Sequence, residues 1–204
     1  GMGKRAFDIL VAGSALLLLS PVLLLIALAI KLDSPGPVFF RQERVGRHGV
    51  PFRIHKFRTM RHDPAGGGPQ LTVGADARIT RSGRFLRHAK LDELAQLIDV
   101  LQGTMSLVGP RPEVPRYVAM YPADLREAAL SVRPGITDPA SLVYRDESAL
   151  LARAADPERE YVEVLLPAKL QLSVRYVDEA SVVGDLRLIG ATLQALWLRS
   201  AARR

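Results

Sequence analysis

Residues 6–32 read AFDILVAGSALLLLSPVLLLIALAIKL, and this stretch decides how the chain relates to a membrane. The 22 residues from Ile9 to Ile30 include no charged side chain. As a helix they would cover about 33 Å, which is close to the thickness of a bilayer core. The run is too long for the apolar region of a signal peptide. The sequence therefore predicts a helix that is inserted in a membrane.

Two features bear on whether this helix crosses the membrane or turns back. Pro21 has no backbone N–H and predicts a bend, and Ser20 can donate a hydrogen bond to a carbonyl that the proline frees. Basic residues flank both ends, namely Lys4, Arg5 and Lys31. A re-entrant insertion would keep all of these charges on the cytoplasmic face. Kinked helices also span membranes, so these residues leave both topologies open.

Composition limits the classes of protein to consider. The chain has 204 residues, of which 48% are hydrophobic and 24% charged, so it is long and apolar enough to fold and is not a disordered segment. It contains no cysteine, which excludes disulfides and thiolate metal sites and favours a cytosolic setting for the part outside the membrane. The net charge of +7 implies an anionic partner, which could be phosphate groups, nucleic acid or an acidic membrane surface.

The segment after the apolar run is basic and rich in β-forming residues. Its alternation predicts a β-hairpin with strands Val38–Arg44 and Phe52–Phe57. Most of its charges fit a solvated strand face that lies against anionic lipid. Lys56 and Arg58 are also candidates for binding phosphate oxygens, because alternate residues of a strand share a face.

Two adjacent acids, Asp92 and Glu93, precede apolar residues at helical spacing. This spacing predicts an amphipathic helix over Lys90–Leu101 with the acids in its first turn. Acids are common there because they complement the helix dipole. The dipole would equally favour an ionised Asp92 that attacks phosphorus, with Glu93 near a Mg²⁺ ion. The spacing leaves both interpretations open.

Basic residues surround the acidic pair in the sequence. A helix predicted over 77–88 would carry a stripe of arginines that ends beside the pair, and Arg84 and Arg87 would favour an ionised Asp92. The stripe could equally be a solvated face. Further along, Pro110 and Pro112 enclose Arg111 in a rigid bend, which suits bidentate binding of phosphate as well as a purely structural role.

The C-terminal part is predicted to be helical. The last helix, from about Gly184 to Ser200, has an apolar face and a basic end, so it either packs on the core or lies in the membrane interface. Arg145 is a further candidate for a substrate-binding residue. The four histidines show no ligand spacing and are treated as non-catalytic: His48, His55, His62 and His88. The other helices are predicted over Asp146–Ala154, Pro157–Val164 and Pro167–Val177.

Four stretches, read in order, are SPGPVFFRQERVG, FRIHKFRTM, GRFLRHAKLDELAQLIDVLQGTMSLVGPRPE and VRPGIT. Together they resemble the bacterial sugar transferase family, the small monotopic phosphoglycosyl transferases. The resemblance implies a mostly helical α/β fold with a small hairpin, interfacial amphipathic helices and three parts. These are a re-entrant helix-break-helix over 1–33, a catalytic domain over 34–183 and an amphipathic helix over 184–204.

The resemblance also implies an activity. Members of the family move a sugar-1-phosphate from a UDP-sugar to undecaprenyl or another polyprenyl phosphate, release UMP and need Mg²⁺. The reaction takes place among phospholipids at the cytoplasmic face of the bacterial inner membrane. It proceeds through a phosphosugar-aspartyl intermediate and is the first membrane step towards a cell-surface glycan, such as an exopolysaccharide, capsule, O-antigen or glycoprotein glycan.

The family motifs carry these roles over to residues of this chain. Asp92 becomes the nucleophile, and Glu93 becomes the metal-associated carboxylate with Asp92 beside it. Arg87 matches a basic residue of the family, and the Pro-Arg-Pro motif falls on 110–112. The helix break falls on Ser20 and Pro21, which favours re-entrant insertion.

Some residues depart from the family pattern: Ala95 replaces a usual proline, Thr104 replaces a common acid, and DPASLVYRDE follows RPGIT. These changes leave the acidic pair intact but leave the sugar open. We expect the minimal form of the family, with the oligomeric state open and a homodimer included. The alternatives are a non-catalytic membrane-tethered scaffold that binds anionic lipid and a metal-dependent phosphohydrolase. A nucleic-acid binder is not expected, because few aromatic residues lie near the basic cluster.

Overall fold

The computed structural model describes residues 1–202, so Arg203 and Arg204, two of the three arginines of the predicted basic end, lie outside it. The first half of the chain contains α1 (Met2–Asp33), β1 (Phe39–Val45), β2 (Pro51–Phe57), α2 (Arg81–Ala89), α3 (Gln96–Gln102) and β3 (Ser106–Val108). The second half contains α4 (Pro115–Val118), α5 (Ala123–Ala129), β4 (Gly135–Thr137), α6 (Pro139–Val143), α7 (Glu147–Ala152), α8 (Pro157–Glu160), α9 (Leu166–Glu179) and α10 (Val182–Ala201). The prediction of a mostly helical fold with a small hairpin is thereby confirmed, and a second two-stranded sheet is present as well.

Helix α1 is 32 residues long and includes Pro21. Its length of about 48 Å and its apolar composition are sufficient to cross a membrane. Ser20 Oγ donates a hydrogen bond of 2.8 Å to the carbonyl of Leu17, as predicted. That carbonyl lies four residues before Pro21, which has no N–H to donate to it. The serine therefore satisfies the acceptor that the proline leaves without its usual partner.

Both arms of α1 pack on the rest of the protein. In the N-terminal arm, Ala12 is fully buried in a cluster that includes residues of α3 and β3. In the C-terminal arm, Ile26 and Ile30 are buried in a second cluster with residues of β2, α2 and the segment after α2. The middle of the helix differs, since Leu17 is 76% exposed and Leu24 72% exposed. The two arms therefore contact one body, and the leucines between them face outward.

The predicted hairpin is confirmed, with strand ends shifted by about one residue. Strands β1 and β2 are antiparallel and pair from Phe39 with Phe57 to Val45 with Pro51. His48 and Gly49 have φ angles of 60° and 78°, in the left-handed region, where the chain turns between the strands. Lys56 is the last residue but one of β2.

A second sheet, of β3 and β4 in parallel, is absent from our sequence-based expectations. Each strand has three residues, too few to show a periodic pattern. The chain after β3 lies so close to β4 that a Cβ atom at Gly135 would sit 2.0 Å from the backbone nitrogen of Gly109. Only glycine allows that approach, which brings Pro110 and Arg111 next to β4.

Two helix boundaries around the acidic pair were predicted wrongly. The first helix starts at Arg81 instead of Ala77, because Thr80 caps it by accepting a hydrogen bond of 3.0 Å from Gly83 N–H. The second does not start at Lys90, which has a left-handed φ of 58° and ends α2. A 3₁₀ turn over Leu91–Ala95 follows, and α3 begins only at Gln96.

The C-terminal helices are longer or shorter than predicted but occur in the predicted order. Helix α8 continues through a π turn over Tyr161–Leu165 into α9, so Pro167 lies in the first turn of α9 and does not begin a separate helix. Helix α10 keeps several apolar residues exposed, including Trp197 at 68%. A location in the membrane interface stays a prediction for it.

Candidate active site

Asp92 and Glu93 lie on the 3₁₀ turn between α2 and α3. The apolar side of that turn faces α1 and β2, since Ala95 is buried with Ile26, Ile30 and Phe57. Leu94 contacts the clusters beneath both arms of α1. The residues that follow the two acids, Leu94 and Ala95, therefore pack against the apolar helix and hold the acids close to it.

Glu93 is paired with two cations. Its Oε1 atom lies 3.2 Å from Arg111 Nη1, which donates a hydrogen bond, and 3.7 Å from Lys56 Nζ. Burial by itself would raise the pKa of this carboxyl, but Arg111 and Lys56 outweigh burial and lower the pKa to about 2. Glu93 is therefore an anion across the physiological pH range.

Asp92 lies in a different environment although it is the neighbouring residue. It is 7% exposed, and within residues 1–202 its Oδ1 atom has no hydrogen-bond partner. Burial and the negative charge of Glu93 raise its pKa, and Lys56 and Arg87 partly oppose this rise. Both acids lie in the first turn of the 3₁₀ segment, which continues into α3, and stabilisation of the Asp92 anion by the helix dipole stays a prediction.

Lys56 and Arg111 approach the acids from different parts of the fold. Burial and the charge of Arg111 lower the pKa of Lys56 to about 8, although Glu93 acts in the opposite direction. The charge of Glu93 raises the pKa of Arg111, which stays a cation. Two partly buried cations thus lie beside one ionised acid and one acid whose anion is disfavoured by burial, so they are positioned to contact phosphate oxygens as well.

The backbone around Arg111 is held on both sides. The Pro110 carbonyl accepts a hydrogen bond of 3.0 Å from Gly135 N–H in β4. The Pro112 carbonyl accepts one of 2.7 Å from Nη1 of Arg44 in β1. The rigid bend that the two prolines predict is therefore reinforced by both sheets. Arg44 is a partly buried cation that sequence reasoning missed, because it is one of several arginines in the hairpin.

Of the other cations predicted for the site, Arg87 lies near the acids. Its Nη1 atom donates a hydrogen bond of 3.2 Å to Thr59 Oγ1, and its charge acts on Asp92. Helix α2 can lie this close to Thr59 because residue 83 is glycine, where a Cβ atom would sit 2.0 Å from the Thr59 carbonyl oxygen.

The remaining predicted cations lie elsewhere. Arg58 donates to the carbonyl of Pro37 at 2.6 Å and to the carbonyl of Ser34 at 2.9 Å, so it ties the end of α1 to the end of β2. Arg84 is exposed on α2. Arg145 is exposed and lies 3.9 Å from Asp146. The structure thus brings Lys56, Arg87 and Arg111 to the acids.

The acids fit a metal ion that takes most of its ligands from elsewhere. Within residues 1–202, no group of three or more His, Asp or Glu side chains is arranged to hold a metal. Mg²⁺, however, commonly uses one or two carboxylates and completes its shell with phosphate oxygens and water. The unpartnered Oδ1 of Asp92 and the carboxylate of Glu93 match that requirement.

Sequence reasoning also missed a histidine. Asp99 accepts hydrogen bonds from His55 twice, at Oδ2 from the backbone N–H and at Oδ1 from the ring Nδ1, both at 2.9 Å. The pair joins β2 to α3, one residue from Lys56. The two residues are 44 positions apart, so no local spacing could have indicated the contact.

Comparison with known proteins finds one matching family model and several similar sequences. A family model described as bacterial sugar transferase matches residues 1–199. A UDP-glucose:undecaprenyl-phosphate glucose-1-phosphate transferase of Caulobacter vibrioides is 40% identical over 95% of this chain and 69% of its own length. A UDP-N-acetylgalactosamine-undecaprenyl-phosphate N-acetylgalactosaminephosphotransferase of Aeromonas hydrophila is 36% identical over 98% of this chain and 45% of its own. Exopolysaccharide production protein PSS of Rhizobium leguminosarum bv. phaseoli is 40% identical over 93% of this chain and 92% of its own.

Proposed function

Because the chain belongs to the bacterial sugar transferase family, a family of transferases, we propose that it moves a sugar-1-phosphate from a UDP-sugar to undecaprenyl or another polyprenyl phosphate and releases UMP. One observation carries this proposal. The buried and unpartnered carboxylate oxygen of Asp92 lies in a group of three cations, Lys56, Arg87 and Arg111, which contact the acids or act on them by charge. A nucleophile next to a site for phosphate groups is what phosphoryl transfer requires.

In the first step, a carboxylate oxygen of Asp92 attacks the β-phosphorus of the UDP-sugar. The bond from that phosphorus to the oxygen bridging it to UMP breaks, UMP leaves with the electron pair, and the sugar phosphate stays on Asp92 as an acyl phosphate. The raised pKa of Asp92 supports this role, because a more basic carboxylate is a better nucleophile once ionised. Lys56 and Arg87 favour its ionised form.

In the second step, a phosphate oxygen of the polyprenyl phosphate attacks the phosphorus of the loaded enzyme. The bond from Asp92 to phosphorus breaks, which regenerates the carboxylate and yields a polyprenyl diphosphate sugar. Both steps place phosphate oxygens at the same point. Lys56, Arg87 and Arg111 are therefore proposed to hold phosphates in both, since charge-assisted hydrogen bonds to oxyanions are strong.

Glu93 has a supporting role in this mechanism. Its ion pair with Arg111 orients the guanidinium, and its low pKa keeps it charged throughout. Asp92 and Glu93 would together hold Mg²⁺, which offsets negative charge on the phosphates when bound. The proposed assignment of Mg²⁺ rests on the carboxylate pair and on the unpartnered Oδ1 atom.

The membrane arrangement is proposed from the contacts of α1. Near its start, Arg5 Nη1 donates to the Val100 carbonyl at 2.7 Å, and at its end Asp33 Oδ2 accepts from Ser82 N–H at 2.9 Å. Both ends thus bind one water-facing body, which supports a re-entrant helix with both ends on the cytoplasmic face of the inner membrane. We propose the same three parts as above, over 1–33, 34–183 and 184–204.

The pathway is proposed at the level of its class. The name of the Rhizobium relative refers to exopolysaccharide production, which supports a first membrane step in making such a polymer. The two other relatives named above act, by their names, on different UDP-sugars. The sugar donor is therefore to be found by experiment.

The test combines turnover with trapping. A panel of UDP-sugars is incubated with the protein and undecaprenyl phosphate, and we expect UMP and a polyprenyl diphosphate sugar from at least one donor. Donor without acceptor should add the mass of one phosphosugar to a peptide that contains Asp92. An adduct confined to another side chain, or turnover with no adduct under the same conditions, would contradict the mechanism. Release of free sugar phosphate without lipid would indicate a phosphohydrolase instead.

A further inference from the structure

An open groove runs along the junction of α1 and α2, on the side where α1 ends. Its volume is about 460 Å³. One wall is the last turn of the apolar helix, and the other is the first turn of α2. The residues that line it are Ala29, Leu32, Asp33, Arg81, Ser82 and Phe85.

The corner of the groove is held by hydrogen bonds. Asp33 Oδ2 accepts from Ser82 N–H at 2.9 Å and from Ser82 Oγ at 2.7 Å. Arg58 adds a second tie nearby through its bonds to the Ser34 carbonyl and Ser34 Oγ. The end of α1 and the start of α2 therefore form one rigid unit, and the groove does not depend on a mobile loop.

The surface of the groove combines exposed apolar groups with exposed cations. Leu32 is 79% exposed and Phe85 is 64% exposed, although both belong to residue types that proteins usually bury. Arg81 and Arg84 are exposed on α2, four residues and one residue before Phe85. An apolar floor with a cationic rim is complementary to a molecule that has an isoprenoid or acyl chain and an anionic head.

The path from the groove to the acids favours one such molecule. From Phe85, α2 runs to Ala89, and the chain then passes through Lys90 into the turn that carries Asp92, a distance of about 12 Å or less. A lipid whose phosphate reaches Asp92 can therefore place the first units of its chain near Phe85, and the polyprenyl phosphate is the lipid whose phosphate must reach Asp92 in the proposed transfer.

We propose that this groove, floored by Leu32 and Phe85, binds the first isoprenoid units of the polyprenyl phosphate acceptor. The inference rests on the proposed transfer to such a lipid and adds where the lipid binds. Phe85 acts as a positioning residue for the second step alone, because the donor loads Asp92 before the acceptor is needed.

The test separates the two steps in the full-length protein. The enzyme is first loaded with donor, and discharge of the phosphosugar is then followed against the concentration of undecaprenyl phosphate. In Phe85→Ala the concentration for half-maximal discharge should rise about tenfold, equivalent to about 1.4 kcal/mol. The rate and extent of loading by donor should not change, and Phe85→Leu should recover most of the acceptor affinity.

Trp197→Ala is the matched control, because Trp197 is an aromatic residue of similar exposure on α10. It should leave the discharge step unchanged. An equal effect of Trp197→Ala, an unchanged acceptor dependence in Phe85→Ala, or an equal loss of donor loading in Phe85→Ala would each overturn the assignment of the groove.

A second measurement keeps this inference distinct from the proposed function. A polyprenyl phosphate with a diazirine in its first isoprenoid units is photo-crosslinked to the protein, and the labelled peptides are identified. Labels within residues 29–33 and 81–85 support the groove, and labels confined to other parts of the chain refute it. If no UDP-sugar loads the enzyme but these labels occur, the proposed transfer fails while the lipid site stands.

Discussion

Two buried aspartates, Asp92 and Asp99, lie seven residues apart in one segment and show what hydrogen bonding does to a buried acid. Asp99 is 1% exposed, and His55 donates to both of its carboxylate oxygens. Asp92 is 7% exposed, and among the described residues its Oδ1 atom has no partner. A fully bonded buried acid stabilises the fold, whereas an unsatisfied one costs free energy and is a candidate for function.

Strand β2 contributes to both environments. His55 binds Asp99 and the next residue, Lys56, lies beside Glu93, because neighbouring side chains of a strand point to opposite faces. The bonded pair therefore fixes the strand against α3, and this fixes where Lys56 lies. Asp99, whose hydrogen bonds are satisfied, thus helps to position the charge of Lys56 near Asp92, whose hydrogen bonds are not.

The largest expected effect comes from Asp92→Asn. We expect transfer to fall by about 10⁴-fold or more, because the nucleophile is lost. Stability should be unchanged or higher, since burial raises the pKa of Asp92 and the folded state therefore disfavours its anion, a penalty that a neutral amide removes. UMP release and the thermal midpoint would be measured together. A variant that keeps full activity would leave Asp92 without a catalytic role.

Asp99→Asn should have the opposite profile. Loss of the carboxylate that accepts both hydrogen bonds from His55 is expected to lower the free energy of unfolding by about 3 kcal/mol, because it leaves buried donors without a full partner. The measurement is chemical denaturation of the detergent-solubilised protein. Asp124→Asn serves as the control, because this exposed acid should change stability by no more than about 0.5 kcal/mol. Equal stability of the two variants would remove the contrast between the aspartates.

Arg111→Gln tests whether the cations around Asp92 serve chemistry. We expect activity to fall by about 100-fold, as is typical when one donor to a developing oxyanion is removed. The pKa of Glu93 should rise towards its ordinary value, because Arg111 is the strongest of the charges that lower it. Arg116→Gln, on an exposed side chain, is the matched control and should be close to neutral. A loss shared by both variants would point to general electrostatics instead of a local contact.

The smallest effect at neutral pH is expected from Lys56→Arg, and it becomes visible in the pH profile. With the unchanged chain, kcat/KM should fall on the acid side at a pH above the ordinary aspartate pKa, because Asp92 must be ionised and its pKa is raised. On the alkaline side it should fall near pH 8, where Lys56 loses its charge. A guanidinium stays charged, so the variant should keep its activity at higher pH. An alkaline limb that is unchanged in the variant would exclude Lys56 as its cause.

Much of the candidate site was predictable, since its residues stand in local patterns. The adjacent acids, the Pro-Arg-Pro bend and the hairpin that carries Lys56 could each be located from spacing and composition. The 3₁₀ turn that carries the acids could not be predicted, because the apolar spacing from Leu94 to Leu101 is that of an ordinary α-helix. The 3₁₀ turn follows Lys90, whose left-handed φ ends α2, and a lysine gives no signal for that conformation.

By itself, the sequence determined that this chain has one long apolar segment interrupted by Ser20-Pro21, a basic hairpin after it and an acidic pair among cations. These are properties of neighbouring residues, so a linear pattern contains them. Only the tertiary structure decided which buried acid is satisfied and which is not, and which of many arginines meet the acidic pair. Those outcomes depend on partners that are distant in sequence, such as His55 and Asp99, which are 44 residues apart. Such partners meet only because the burial of apolar side chains packs β2, α3 and both arms of α1 together.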